Sequence, residues 1–226
     1  MERRRLLDLP SEYTRLNYIE STGTQYINSE LPASQCDMFV LDTMIMEEVI
    51  YPDHPQYNCV GSSTSASSGS SGAKNFIIRN DVTSARNSKK AMIGYNGSWL
   101  TVGAYALNIL QRYTLKIVLK YAEQKLYVNG NLAISYTITS SPTNVYPLYI
   151  FHTNYGGKPV QNNALTYRGR IYSLTMSYNN NYMREFIPSK RIADNVVGMY
   201  DLCGSICQLT GTPFYINAGS GTFIGG

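Results

Sequence analysis

The chain carries fifteen carboxylates and two histidines as its candidates for moving protons. Retaining glycoside hydrolysis needs two carboxyl groups about 5 to 5.5 Å apart. Alternate residues on one strand face deliver such a pair. The acidic residues Glu12, Glu20, Glu30, Asp37, Asp42, Glu47, Glu48, Asp53, Asp81, Glu123, Glu185, Asp194 and Asp201, with Glu2 and Asp8 near the start, contain no Glu-x-Asp-x-x-Glu run. Glu47 and Glu48 are adjacent, so on a strand they point to opposite faces. No nucleophile elbow surrounds any serine, and His54 and His152 have no recognisable catalytic context. The expectation is a chain that is not an enzyme.

Metal chemistry finds no better footing. A zinc site needs four convergent ligands, and the two histidines lie far apart in sequence with no paired spacing to Cys36, Cys59, Cys203 or Cys207. Asp53-His54-Pro55 reads as a polar turn. Calcium takes oxygen ligands from loops, but no ligand set can be named. Calcium is therefore left open, and no other cofactor is expected.

Binding chemistry is better supplied. A sugar presents apolar C–H faces and many hydroxyls, so its site wants an aromatic platform beside amides or hydroxyls. Three segments carry that mixture: Tyr95-Asn96-Gly97-Ser98-Trp99, the run from His152 through Asn154 and Tyr155 to Gly157, and Tyr178-Asn179-Asn180-Asn181-Tyr182. The candidate contacts are Trp99, Tyr95, Asn96, Asn154, Tyr155, Asn180 and Tyr182, with the lone Trp99 as the platform. Tyr, Asn and Gly are also ordinary hairpin material, and a single Trp is also at home in a core.

Strand signals dominate the elements that must position these loops. Tyr113, Leu115, Ile117 and Leu119 alternate with Thr114, Lys116, Val118 and Lys120, the period of a strand with one face on a core. Asn129-Gly130 between two such runs predicts a β-hairpin with a type I′ turn. Further strands are expected at 25–30, 37–46, 57–61, 75–79, 91–95, 148–152, 170–178 and 197–201. The best helical candidate is a turn or two over 104–110. The Ser/Gly-rich stretch 61–73 reads as a long exposed loop inside one unit. Many short strands separated by turns predict an all-β, antiparallel two-sheet sandwich.

Composition fits that surface. In 226 residues, 43% are hydrophobic and only 15% charged, so uncharged polar groups, including twenty Tyr and nineteen Asn, must finish the exterior. A net charge of +4 without a basic face argues against nucleic acid. No run of about eighteen apolar residues is present, so no membrane insertion is expected, and the opening residues do not read as a signal peptide. Residues 1–8 form a basic-apolar arm. The arm reads either as a solvated, disordered terminus or as a docking peptide, in which Arg3, Arg4 and Arg5 pair with an acidic partner while Leu6, Leu7 and Leu9 enter an apolar groove.

Residues 9–27, from Leu9-Pro10 through Tyr18-Ile19-Glu20-Ser21-Thr22-Gly23 to Ile27, resemble the opening of concanavalin A-like, laminin-G-like jelly-roll domains of phage virion and gut-bacterial surface proteins. Phe186-Ile187-Pro188, Gly198-Met199-Tyr200-Asp201 and Asn217-Ala218-Gly219 resemble the closing pattern of the same family. The Leu126-Tyr127-Val128-Asn129-Gly130 hairpin resembles its middle. The resemblance implies one jelly roll over residues 9–226, with the first and last strands paired, Tyr13, Tyr18, Tyr26 and Tyr200 sealing that junction and Pro188 bending the chain. It further implies a non-enzymatic phage virion protein of the head surface, fibre or tail. Such a protein would dock on other virion proteins, form a homo-oligomer and contact host glycans. Assembly in a bacterial cytoplasm would favour reduced thiols, the alternative being a bridge between Cys203 and Cys207 across their tight turn. The alternative is a bacterial lectin-like adhesin module.

Overall fold

The computed structural model describes residues 9–47, 56–64, 72–80, 89–159, 166–203 and 213–226, without the side chains of 79, 80, 89, 90, 99 and 101–106. The arm residues Arg3, Arg4, Arg5, Leu6 and Leu7, the Asp53-His54 turn, Cys207 and the centre of the serine-rich stretch lie outside the described residues. The strands are β1 (Tyr13–Arg15), β2 (Ile19–Ser21), β3 (Ile27–Pro32), β4 (Met38–Ile45), β5 (Gln56–Ser63), β6 (Lys74–Asn80), β7 (Lys89–Tyr95), β8 (Ser98–Ala106), β9 (Arg112–Lys120) and β10 (Glu123–Val128). They continue as β11 (Asn131–Tyr136), β12 (Pro147–Ile150), β13 (Thr153–Tyr155), β14 (Lys158–Pro159), β15 (Gly169–Tyr178), β16 (Asn181–Arg191), β17 (Val197–Asp201), β18 (Phe214–Ile216) and β19 (Ile224–Gly225).

Two sheets result. The larger runs β11–β10–β9–β4–β15–β16–β17–β18, with β1 beside β16 and β2 between β15 and β19. The smaller runs β14–β13–β5–β6–β7–β8, with β12 between β3 and β5. Among the described strands pairing is antiparallel except where β13 lies parallel to β5, and isolated parallel bridges join Ile45 to Ile109 and Asn58 to Thr166. Strict alternation builds the larger sheet: Phe39, Leu41 and Ile45 of β4 and Leu115 and Ile117 of β9 are buried, while their sequence neighbours face outward. From the other sheet, Tyr57, Val60, Phe76, Ile78 and Ile93 join the same apolar cluster. Burying such side chains stabilises by about 1.5 to 3 kcal/mol each, which makes the period-two pattern decisive for register.

The junction of the two ends is as expected. β2 pairs with both β15 and β19, and the backbone N–H groups of Asn17 and Tyr18 donate to the Gly226 carbonyl. Tyr13 meets Tyr200 edge-on at 4.9 Å, and Tyr26 stacks on Tyr149 at 4.9 Å. A buried Arg184 lies 3.6 Å from the buried Asp201 and donates from Nε to the Ser29 carbonyl, linking β16, β17 and β3. Asp201 also accepts from the Glu185 and Cys203 N–H groups, and burial pushes its carboxyl above the usual range.

Four expectations need correction. Residues 98–106 form strand β8, so the apolar spacing around Ala104 is not helical. Gly61, Ser62 and Ser63 complete β5 and are buried, as are Gly72 and Ala73, so neither end of 61–73 is exposed loop. Pro188 does not bend the chain: β16 runs straight through it, opposite Met199. Its carbonyl accepts from the Leu16 N–H, on the side where β15 has stopped pairing and β1 begins, so no ladder donor is missed there. Cys203 is disulfide-bonded rather than a free thiol. Cys36 and Cys59 are free and buried, and burial pushes the Cys36 thiol up to about 12, which makes it inert as a nucleophile. Among the described residues, no helix is long and apolar enough to cross a membrane.

Candidate functional site

Four hairpin tips carry two successive residues at positive φ: Asn96-Gly97, Asn129-Gly130, Gly156-Gly157 and Asn179-Asn180. This is the geometry of type I′ turns, whose twist matches that of the flanking strands. Register places the first, third and fourth at one end of the sandwich and Asn129-Gly130 at the other. The three segments chosen from sequence therefore gather at one end, and conformation already accounts for much of their Asn and Gly content.

Their side chains divide sharply. Tyr95 is 1% exposed and Asn154 fully buried. Asn154 Nδ2 donates to the Pro147 carbonyl while its Oδ1 accepts from the Gly157 N–H, so this amide is spent on its own turn. Asn96 is similarly engaged, accepting from the Gly72 N–H and donating to Ser140 Oγ. Tyr155 is half-buried, and burial pushes its hydroxyl above the usual range. Trp99 stands opposite Gly94 in β8, and its side chain lies outside the described parts. Asn180 and Tyr182 are both exposed on the β15–β16 hairpin, next to Tyr178 and Asn181. Of the seven candidates, these two are brought together at a surface.

That hairpin overhangs the outer face of the larger sheet. Reading across β10, β9, β4, β15 and β16, the register aligns Lys125, Val118, Met38, Ser177 and Tyr182 in one row. The next row holds Tyr127, Lys116, Val40, Thr175 and Glu185. Val118 and Ser177 are buried, Met38 and Val40 half-buried, and Tyr182 is 43% exposed. The result is a flat apolar floor with tyrosines at either side, four strand spacings or roughly 19 Å apart. Two contacts fix the tip: the Asn179 N–H donates to Asp37 Oδ2 at 2.9 Å, and Lys120 Nζ donates to Asn180 Oδ1 at 3.4 Å. Asp37 is itself buried.

On the lower half of the same face, arginines are paired with carboxylates. Arg112 binds Asp42 through two nitrogens at 2.7 and 2.5 Å and stacks on Tyr172 at 3.9 Å. Arg170 contacts Glu20 at 2.7 Å and stacks on Tyr18 at 4.0 Å. Hydrolytic chemistry has little to work with here. Glu123 is held below the usual carboxylate range by Lys125, the reverse of what a general acid needs. Among the described residues, the carboxyl raised by burial is Asp201, which is sealed in the core. Among the described residues, no group of three or more His, Cys, Asp or Glu side chains is placed to hold a metal ion.

No family model matches the chain, and no curated protein matches it. Solved structures do. Domains LG4-5 of the mouse laminin alpha1 chain superpose with a TM-score of 0.50 at 17% identity, over 73% of this chain and 41% of that one. This likeness and the two-sheet architecture define the fold as a concanavalin A-like, laminin-G-like jelly-roll sandwich. The CBM40 domain of the Ruminococcus gnavus IT-sialidase gives a TM-score of 0.47 at 12% identity, over 73% of this chain and 90% of that one. Galectin LEC-6 of Caenorhabditis elegans gives 0.38 at 14% identity, over 69% and 95%.

Proposed function

We propose that this chain is a non-catalytic carbohydrate-binding protein that holds sugar against the upper outer face of its larger sheet. The observation that carries the reading is Tyr182, exposed beside the Met38–Val118 floor and next to the amides of Asn180 and Asn181 on a hairpin tied to Asp37. A tyrosine ring covers the apolar side of a pyranose while amides exchange hydrogen bonds with its hydroxyls. Because a type I′ turn and a buried carboxylate already fix the tip, little ordering entropy is lost on binding.

Tyr182→Ala should weaken the best glycan found on a broad array by about tenfold, in line with loss of one aromatic contact, with the melting temperature unchanged. Undiminished binding by that variant refutes the assignment. The resemblance of both chain ends to virion-surface domains supports placing this binding face on a phage particle, with residues 1–8 docking on other virion proteins. Mass spectrometry of purified particles tests the placement, and consistent absence of the chain from them removes it.

A further inference from the structure

Resting on the carbohydrate reading, we propose that the ligand of this face is an acidic glycan whose carboxylate or sulfate sits among Lys116, Lys120 and Lys125. Lys116 and Lys120 both face outward from β9, two residues to either side of Val118, and Lys125 of β10 lies directly opposite Val118. Two residues of strand span about 6.7 Å, so the three flexible side chains bracket one patch above a single apolar contact. Lys116 Nζ stands 5.6 Å over the Tyr127 ring on an exposed side chain.

Among the described residues, one carboxylate of this outer face enters the patch, the buried Asp37 being bound instead to the Asn179 N–H. Glu123 pairs with Lys120 in register and meets Lys125 Nζ at 2.8 Å. Among the described residues, three lysines face one glutamate there, an excess of two positive charges. The nearest other carboxylates of the face are committed or remote: Asp42 is clamped by Arg112, and Glu185 lies three strands away from Lys116. The contrast with the one-to-one pairing around Arg112 and Arg170 is what favours an anionic ligand here. Glu123 is depressed below the usual carboxylate range, with Lys125 the largest cause and Lys120 and Lys116 contributing, so all three lysines act on that spot. A ligand anion would occupy it more fully, while Tyr182 and the tip amides hold the sugar rings beyond.

The test uses the full chain with dextran, carboxymethyl-dextran and dextran sulfate, three polymers of one backbone that differ in charge, by titration calorimetry at low and high salt. The expected result is preference for one or both charged polymers over dextran, shrinking as salt shortens the screening length from about 10 Å at 0.1 M. Comparing the two charged polymers separates carboxylate from sulfate recognition. The double variant Lys116→Ala/Lys120→Ala should lose about tenfold or more in acidic-polymer affinity. Glu123→Gln should bind it roughly threefold more tightly, because the competing carboxylate is gone. The inference is overturned if the lysine variant keeps the acidic-to-neutral ratio. It is also overturned if an oligothymidylate or phosphatidylglycerol vesicles bind as tightly through the same lysines. Retained glycan binding that depends on Tyr182 but not on the lysines sinks this inference alone, whereas no binding to any glycan sinks the carbohydrate reading with it.

Discussion

Gly169→Ala should lower the unfolding free energy by about 3 kcal/mol, the upper range for forcing atoms into a filled core. A Cβ at this position would lie 2.4 Å from Cζ and 2.5 Å from Oη of Tyr167, and 2.6 Å from the Met44 carbonyl. Tyr167 cannot retreat. It is fully buried, hydrogen-bonded to Thr43 Oγ1 at 2.9 Å and stacked on Phe151 at 6.1 Å. The Met44 carbonyl belongs to β4, whose pairing with β15 fixes the centre of the larger sheet. Gly130→Ala provides the control, since no atom lies within 4 Å of the added Cβ and only a φ of +82° opposes it. About 1 kcal/mol is expected there. Urea titration of both variants decides the matter, and equal midpoints would contradict the crowding at Gly169.

The second large effect is set by pH. His152 is 2% exposed, and burial holds its imidazole down at about 4 against an ordinary 6.5. Its Nδ1 accepts the Thr153 N–H at 2.7 Å, which fixes the neutral ring, and its edge meets Tyr26 at 5.8 Å. The unfolded chain therefore takes up a proton below pH 6.5 that the folded chain refuses until about pH 4. Stability from this group is complete above pH 7 and falls through that window by roughly 3 kcal/mol, at about 1.4 kcal/mol per pKa unit. Asp201 works the other way, because a carboxyl raised by burial gains a proton earlier in the folded state. Comparing the native chain with His152→Asn isolates the imidazole, since the amide oxygen can still accept the Thr153 N–H. The variant should lose the native slope between pH 6.5 and 4, and an unchanged slope would show that His152 does not titrate as its burial requires.

Much of the architecture is legible in the chain itself. The alternation from Tyr113 to Lys120 is β9, and Asn129-Gly130 is the turn it advertises, because a half-buried strand cannot hide its period. β16 was harder to see. Phe186, Ile187, Pro188 and Ser189 are all buried, and a bulge beside Met183 breaks whatever rhythm the strand had. The stretch before Leu110 looked helical because sparse apolar spacing over seven residues fits either period.

The proposed binding face was less readable, for a different reason. Asn96, Asn154 and Asn180 look alike in sequence, yet one is tied to Gly72 and Ser140, one is sealed inside its own turn and one is exposed. Turn chemistry and sugar chemistry favour the same residue types. Met38, Lys116, Lys125 and Tyr182 come from four strands spread over much of the chain, and each is only the outward half of an ordinary alternation. Their meeting is a product of strand order, which local pattern does not encode.

That strand order has a further consequence. β9, β4, β15 and β16 are the interior ribs of the larger sheet, each hydrogen-bonded on both sides. Amide hydrogen exchange along them should proceed only through whole-molecule opening. The platform is then as durable as the protein that bears it, and fraying cannot switch it off. Ligand occupancy should accordingly slow exchange across the entire sheet by mass action rather than at the contact residues alone.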